Sequence, residues 1–310
     1  MFCSSSSGRL RSQRKFGNGE ENPVRILNLT DIRSRIDDAK LILHMRDALI
    51  AQSRGECSTP MPMHLGITCG EVHVKSSYRR GGKYFVLKMA APANGMMLLS
   101  SADTGDPVAF FADQGHLTDV RTAAVSAMVA RELGRCDASI GILGTGIQAR
   151  LTARFHRQVL PVERVFLWGR DPAKARHLAV EIGATVVSTP TELAASTKLI
   201  VTCTASRSPL LFASDLQPGT HISAVGSDSP GKQELDPSIL SSAELLLVDS
   251  LAQCERLGEL QHAPDQRERA VEIGTFCENP RAAESSVADM TGLGVEDLYI
   301  AEMIYDQEPE

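Results

Sequence analysis

Two hydrophobic patterns divide this chain. Up to about residue 115, apolar positions come mostly in short alternating stretches, the period of a strand with one buried face. Residues 24–29 (VRILNL) predict a strand. Thr30 or Asp31 then caps a helix running to about Ser53, with Ile36, Leu41, Leu43, Met45 and Leu49 among its apolar positions. Residues 59–64 (TPMPMH) are extended, because two prolines exclude a helix interior. Strands are predicted at 70–77 and 83–90 around a turn at Arg79-Arg80-Gly81-Gly82. Two more, at 96–100 and 108–112, flank a turn at Asp103-Thr104-Gly105-Asp106. A helix over 118–133 carries a small-residue face (Ala123, Ala124, Ala127). This part reads as an α+β unit with an antiparallel sheet.

From Asp137 the pattern changes. Apolar strands at 139–143, 164–168, 185–187, 199–204, 221–225 and 244–248 alternate with helices at 148–159, 172–182, 191–195 and 237–241. That alternation predicts a parallel sheet wound on both faces. A last helix over 292–304 is expected to pack back onto the first unit.

Residues 139–151 (SIGILGTGIQARL) hold the strongest chemical signal. A strand, a glycine-rich turn and a helix start follow one another. Gly144, Gly146 and Ala149 match the G-x-G-x-x-A dinucleotide fingerprint. Gly144 allows the tight turn, Gly146 admits a pyrophosphate to the backbone, and Ala149 lets the helix approach the strand. The cofactor is then expected along Gly144, Thr145, Gly146, Ile147 and Gln148, at the positive end of a helix. Such turns also serve only as turns, and they bind S-adenosylmethionine in methyltransferases; the motif's mid-chain place and the WGRD on the next strand argue against the latter. The fold class is therefore α/β: a Rossmann-type doubly wound parallel sheet with an N-terminal α+β domain. Residues 1–22 form a tail, 23–120 with 285–310 one domain, and 121–284 the nucleotide domain.

Bulk numbers narrow the picture. With 310 residues the prior is about two domains, and 43% hydrophobic with 23% charged residues describes an ordinary globular chain. A net charge of −6 argues against a general nucleic-acid surface, and no apolar run is long enough to span a bilayer. Cys3, Cys57, Cys69, Cys136, Cys203, Cys254 and Cys277 are odd in number and widely spaced, with no C-x-x-C. Reduced thiols in the cytoplasm fit that better than a disulfide framework or a zinc site. His73 and His262 read as lone, structural histidines, and with no H-x-x-E-H or paired His/Cys pattern no metal is expected. Residues 1–22 are serine- and arginine-rich with no acid before Glu20. They read as a disordered tail or as an organelle-targeting segment.

Further segments give the chain a resemblance. Residues 70–75 (GEVHVK), 84–88 (YFVLK), 117–127 (LTDVRTAAVSA), 168–175 (WGRDPAKA), 225–237 (VGSDSPGKQELDP) and 247–263 (LVDSLAQCERLGELQHA), with the glycine fingerprint, resemble the ornithine cyclodeaminase/mu-crystallin family. The resemblance implies an N-terminal substrate and dimerisation domain, a C-terminal Rossmann domain, an NAD(P) cofactor and a homodimer. It implies an ornithine cyclodeaminase or a ketimine or pyrroline-2-carboxylate reductase acting on a small amino or imino acid. A nucleotide-dependent binding protein of the mu-crystallin kind is the alternative. Residue by residue, Lys88 matches the family lysine at the substrate carboxylate and imine, Arg121 the carboxylate clamp, and Asp228 the aspartate at the substrate nitrogen. Glu71 resembles the acid near the substrate amino group.

Elementary chemistry agrees with that carry-over. An amino acid carboxylate calls for a cation, and arginine offers two parallel donors. Hydride transfer to an imine carbon is easier when a carboxylate stabilises the protonated nitrogen. Lys75 alternates with Val72 and Val74 and lines the pocket or stays solvated. Thr202, Thr204 and Val225, at strand ends, border the nucleotide or simply close their strands. Arg170 ends the second strand of the fingerprint unit where an NAD enzyme has an acid, so NADP(H) is expected over NAD(H). Asp171 is placed to cap the next helix. Relative to the family pattern, the stretch between Lys88 and Asn94 is short, and Met61-Pro62-Met63 lacks an arginine that several members carry. The short stretch points to a different substrate, a weakened activity or an error in the gene model, and is the feature that favours the binding role; the missing arginine puts ornithine itself in doubt.

Overall fold

The computed structural model describes residues 24–68, 70–92 and 94–307. The expectations for residues 1–22, Cys3 and Cys69 lie outside the described residues. The first sheet has seven strands: Arg25–Asn28, Cys57–Ser58, Met63–Ile67, Gly70–Arg79, Tyr84–Ala91, Asn94–Ser101 and Pro107–Ala112. All pairings are antiparallel except Arg25–Asn28, which lies parallel to Pro107–Ala112. Side-chain alternation sets its two faces. Val86 and Lys88 point inward and are buried, while Leu87 and Met89 point outward and are exposed. Lys75 sits directly opposite Lys88, so both lysines share the inner face. Pairing of Tyr84–Ala91 with Asn94–Ser101 runs unbroken to Ala91 opposite Asn94. The shortened stretch after Lys88 is thus absorbed as continuous strand.

The single helix expected to end near Ser53 is two helices, Leu29–Ser34 and Asp38–Ser53. Asn28, not Thr30 or Asp31, caps the first, accepting from the backbone N–H of Thr30 and Asp31 at 2.8 and 3.1 Å. Asp37 caps the second through the N–H groups of Ala39 and Lys40. An aspartate that can bond those N–H groups restarts a helix inside a run whose hydrophobic period looks continuous.

The second sheet has eight strands, all parallel, in the order Ala184–Val186, Arg164–Trp168, Ser139–Leu143, Leu199–Thr202, His221–Ala224, Ser286–Asp289, Leu245–Val248, Ala270–Glu272. Leu143, Ile200, Ile222, Leu246 and Val287 pack on one face, and Ile140, Ile142, Val165, Leu167 and Val201 on the other. Two strands were not expected from the sequence, Ser286–Asp289 and Ala270–Glu272. The first corrects the expected domain boundary: residues 286–289 form a central strand of the nucleotide sheet, not part of the first domain. Helix His116–Glu132 also runs unbroken across the expected division at 120/121. Helix Gly294–Tyr305 returns to the inner face of the first sheet and to helices Asp38–Ser53 and His116–Glu132. Among the described residues no helix is long and apolar enough to cross a membrane.

Candidate active site

The chain leaves strand Ser139–Leu143 toward Arg164–Trp168 on one side and returns to Leu199–Thr202 on the other. The carboxyl edge at that reversal is where open α/β sheets bind ligands. Gly144 there has φ +134°, and a Cβ on it would lie 2.7 Å from Cys203 O and Sγ. Only glycine fits. Gly146 starts helix Ile147–Val159, and nothing lies within 4 Å of where its Cβ would stand. The helix has no acid in its first turn, so its N–H groups and positive end face a cleft of about 380 Å³. Thr145, Gly169, Arg170, Lys174 and Thr204 line the cleft with the two glycines. A pyrophosphate fits this cradle. Asp171 is spent on capping helix Pro172–Ile182, accepting from Ala173 and Lys174 N–H. Arg170 and Lys174 remain as the cations at the cleft.

A second cavity, of about 240 Å³, lies beyond the first turn of the same helix. Lys75, Lys88, Asp119, Arg121, Gln148, Val225, Asp228 and Glu296 line it. Strands supply the lysines from the inner face of the first sheet, helix His116–Glu132 supplies Asp119 and Arg121, and the loop after His221–Ala224 supplies Asp228. Arg121 is buried. Its Nη1 donates to Glu296 Oε2 at 2.8 Å and its Nε to Asp297 Oδ1 at 3.2 Å. Lys88 Nζ stands 3.7 Å from Asp297 Oδ2. Lys75 Nζ donates, among the described residues, to the carbonyls of Thr291 and Gly292, at 3.0 and 2.7 Å. Asp228 Oδ1 accepts from Lys232 Nζ at 2.6 Å.

These surroundings set the charges. Burial pushes Lys88 down to about 8, against the pull of Asp297. Burial lowers Lys75 as well, reinforced by Arg121. Burial would raise Asp228, but Lys232, with Lys75 and His73 behind it, outweighs that and holds it below the usual carboxylate range. Asp119 is pushed up to about 6 by burial, even though Gln148 Nε2 donates to it at 3.3 Å. The cavity therefore holds an ionised aspartate, a carboxyl poised near neutrality and cations beside it.

Not every expected residue arrives at its expected place. Gln148 and Val225, expected at the nucleotide, line the second cavity. Ile147 lines neither space and is partly exposed on its helix. Thr202 is fully buried and its hydroxyl donates to Glu234 at 2.7 Å, so it does not reach the cleft. Thr204 lines the cleft, but its N–H and hydroxyl both go to Glu234, at 2.6 and 2.7 Å. Glu71 stands half-exposed between two histidines and does not line the cavity. Sequence reasoning missed Glu234, which also accepts from Gly226 N–H and so ties two strand ends together at the sheet's carboxyl edge. It also missed Asp119, which sits two residues before Arg121 in the LTDVRTA segment, and the Glu296–Asp297 pair.

Comparison with known proteins decides the family. The model of the ornithine cyclodeaminase/mu-crystallin family matches residues 60–310. The chain belongs to this family. Among its relatives in the ornithine cyclodeaminase/mu-crystallin family, an uncharacterized cyclodeaminase of Sinorhizobium fredii is 36% identical over 269 residues, 78% of this chain and 81% of the relative. A Δ1-pyrroline-2-carboxylate reductase of Bacillus cereus is 32% identical over 235 residues, 70% of this chain and 72% of the relative. Among solved structures, an archaeal alanine dehydrogenase dimer with bound NAD superposes with a TM-score of 0.83 at 26% identity, covering 91% of this chain and 95% of the other.

Proposed function

We propose that this family member reduces a small cyclic imino acid, of the pyrroline-2-carboxylate class, with NADPH. The coarse class is plain: its relatives are reductases, dehydrogenases and cyclodeaminases of amino and imino acids, and the chain is an enzyme of that kind using a nicotinamide nucleotide. One observation carries the finer reading. Lys88, Arg121 and Asp228 converge on a single cavity that Gln148 also lines, two residues after Gly146, which lines the nucleotide cleft.

Bound at Gly144, Thr145 and Gly146, the nucleotide supplies or accepts a hydride. The chain does the rest. Glu296 and Asp297 hold Arg121 in one orientation, and among the described residues its Nη2 keeps no hydrogen-bond partner. Arg121 Nη2 and Lys88 Nζ bind the substrate carboxylate. Asp228, kept ionised by Lys232, faces the substrate nitrogen, stabilises the protonated imine and exchanges its proton. Arg170 and Lys174, with Asp171 already spent, favour a 2′-phosphate and hence NADP(H). The absence of an arginine in Met61-Pro62-Met63 removes one charged contact, and a cyclic imino acid, which has no free side-chain amine, needs fewer of them than ornithine.

A homodimer belongs to this reading. The outer face of the first sheet exposes Met63, Leu65, Leu87 and Met89, an apolar surface that suits a second copy, and the archaeal alanine dehydrogenase is a dimer. A cytoplasmic site of action also belongs to it. Cys57, Cys136, Cys203, Cys254 and Cys277 are all free thiols.

The test is NADPH oxidation on Δ1-pyrroline-2-carboxylate, with NADH in parallel and ammonia release from ornithine as the contrast. Turnover with NADPH is expected. Arg170→Ala is expected to reduce the NADPH/NADH preference about tenfold, the worth of one charge-assisted hydrogen bond. Ammonia release from ornithine without imine reduction would replace this reading with cyclodeamination, and nucleotide binding without either would replace it with a binding role.

A further inference from the structure

We propose that His64, Glu71 and His73 bind one divalent transition-metal ion, of the zinc type, at the rim of the substrate cavity. The expectation of no metal looked for ligands close in sequence. The fold assembles these across a strand pair. In the antiparallel pairing of Met63–Ile67 with Gly70–Arg79, His64 lies directly opposite His73. Glu71 precedes His73 by two residues and so projects from the same face. That face is the inner one, which also carries Lys75 and Lys88, and His73 itself lines the cavity.

The spacing suits one ion. Glu71 Oε2 is 3.1 Å from His73 Nε2, and Glu71 Oε1 is 3.4 Å from His64 Nδ1. The imidazole centroids are 4.5 Å apart, and one donor atom from each of the three residues lies within 4.8 Å of the others. Metal–ligand bonds of about 2.0–2.1 Å in a tetrahedron put neighbouring donors about 3.3 Å apart.

A second observation asks for a ligand. Both ring nitrogens of His64 are buried, and among the described residues neither has a hydrogen-bond partner. Buried ring nitrogens are ordinarily satisfied. The Glu71 oxygen is close enough for an ion pair, yet it is poorly directed toward a hydrogen bond. Protonation states agree with this. Burial lowers His73, favouring the neutral ligand form. Glu71 lies below its ordinary range, because His64 and His73 outweigh the opposing effect of burial. Two imidazoles and a carboxylate are a common zinc donor set, and three protein ligands leave a coordination position open. A water or a polar group of an arriving substrate would take that position. Glu71 then acts as a metal ligand and not as a partner of the substrate amino group.

The inference does not depend on the reaction proposed above, because its test reads the metal alone. Untagged full-length protein, stripped with a chelator, is titrated with Zn²⁺ by calorimetry and with Co²⁺ by visible absorption. One ion per chain is expected, with the intense d–d bands of a four- or five-coordinate cobalt site. His64→Ala and Glu71→Gln should each weaken binding by at least about 100-fold with an unchanged circular dichroism spectrum. His44→Ala, on the exposed side of helix Asp38–Ser53, should change nothing. Absence of binding up to millimolar metal overturns the proposal. So does binding that survives both His64→Ala and Glu71→Gln, which would place the ion on thiols elsewhere.

Discussion

Lys88 carries a charge that a modest rise in pH removes. Burial pushes it down to about 8 while Asp297 pulls the other way. It attracts a carboxylate only when protonated, so kcat/KM for imine reduction should fall as pH rises through about 8. Lys88→Arg keeps the charge at all accessible pH and should move that falling limb upward, whereas Lys88→Ala should lower kcat/KM by about 10–100-fold at pH 7. A pH–rate profile of the three proteins checks this. Lys88, Arg121 and Asp228 could be singled out from the sequence because each sits in a local motif, and the structure brings the three to one cavity. Glu296 and Asp297 could not, since they meet Arg121 from a helix 175 residues away in sequence. Thr202 misled for a different reason. A strand-end hydroxyl looks alike whether it faces a nucleotide or a buried carboxylate such as Glu234.

Helix Gly294–Tyr305 shows how closely one element must seat for the site to form. A Cβ on Gly294 would stand 2.4 Å from Ser76 O, a backbone atom held in the sheet. Gly294→Ala should therefore lift the helix from the strand, costing about 1–3 kcal/mol in urea unfolding. It should also raise the substrate KM, because Glu296 and Asp297 would shift and release Arg121. Strands and helices with clear periodicity were readable along most of the chain. Ser286–Asp289 escaped because its four residues are all buried and show no alternation. The break at residues 35–37 escaped because a cap is a hydrogen-bond choice that leaves the apolar repeat intact.

Buried groups of the second sheet and of helix Gly294–Tyr305 titrate in opposed senses. His221 is buried between Ser286 and Ser223 hydroxyls, and burial pushes it down to about 3. The folded state keeps it neutral while the unfolded chain takes up a proton near pH 6.5, so its contribution is present above that pH and lost as pH falls. Asp289 and Glu296, pushed up to about 7 by burial, act in the opposite sense: their contribution is present in acid and lost as pH rises through 7. A comparison of wild type with His221→Gln isolates the histidine. The stability difference between them should change by about 2 kcal/mol from pH 6.5 to 5, to the disadvantage of wild type. Residues 286–305 have one more consequence, in the order of synthesis. They supply a central strand to one sheet and a covering helix to the other, after every other strand of both has been made. Neither core is complete until this segment has left the ribosome, so the two domains mature together once residues 286–305 have emerged.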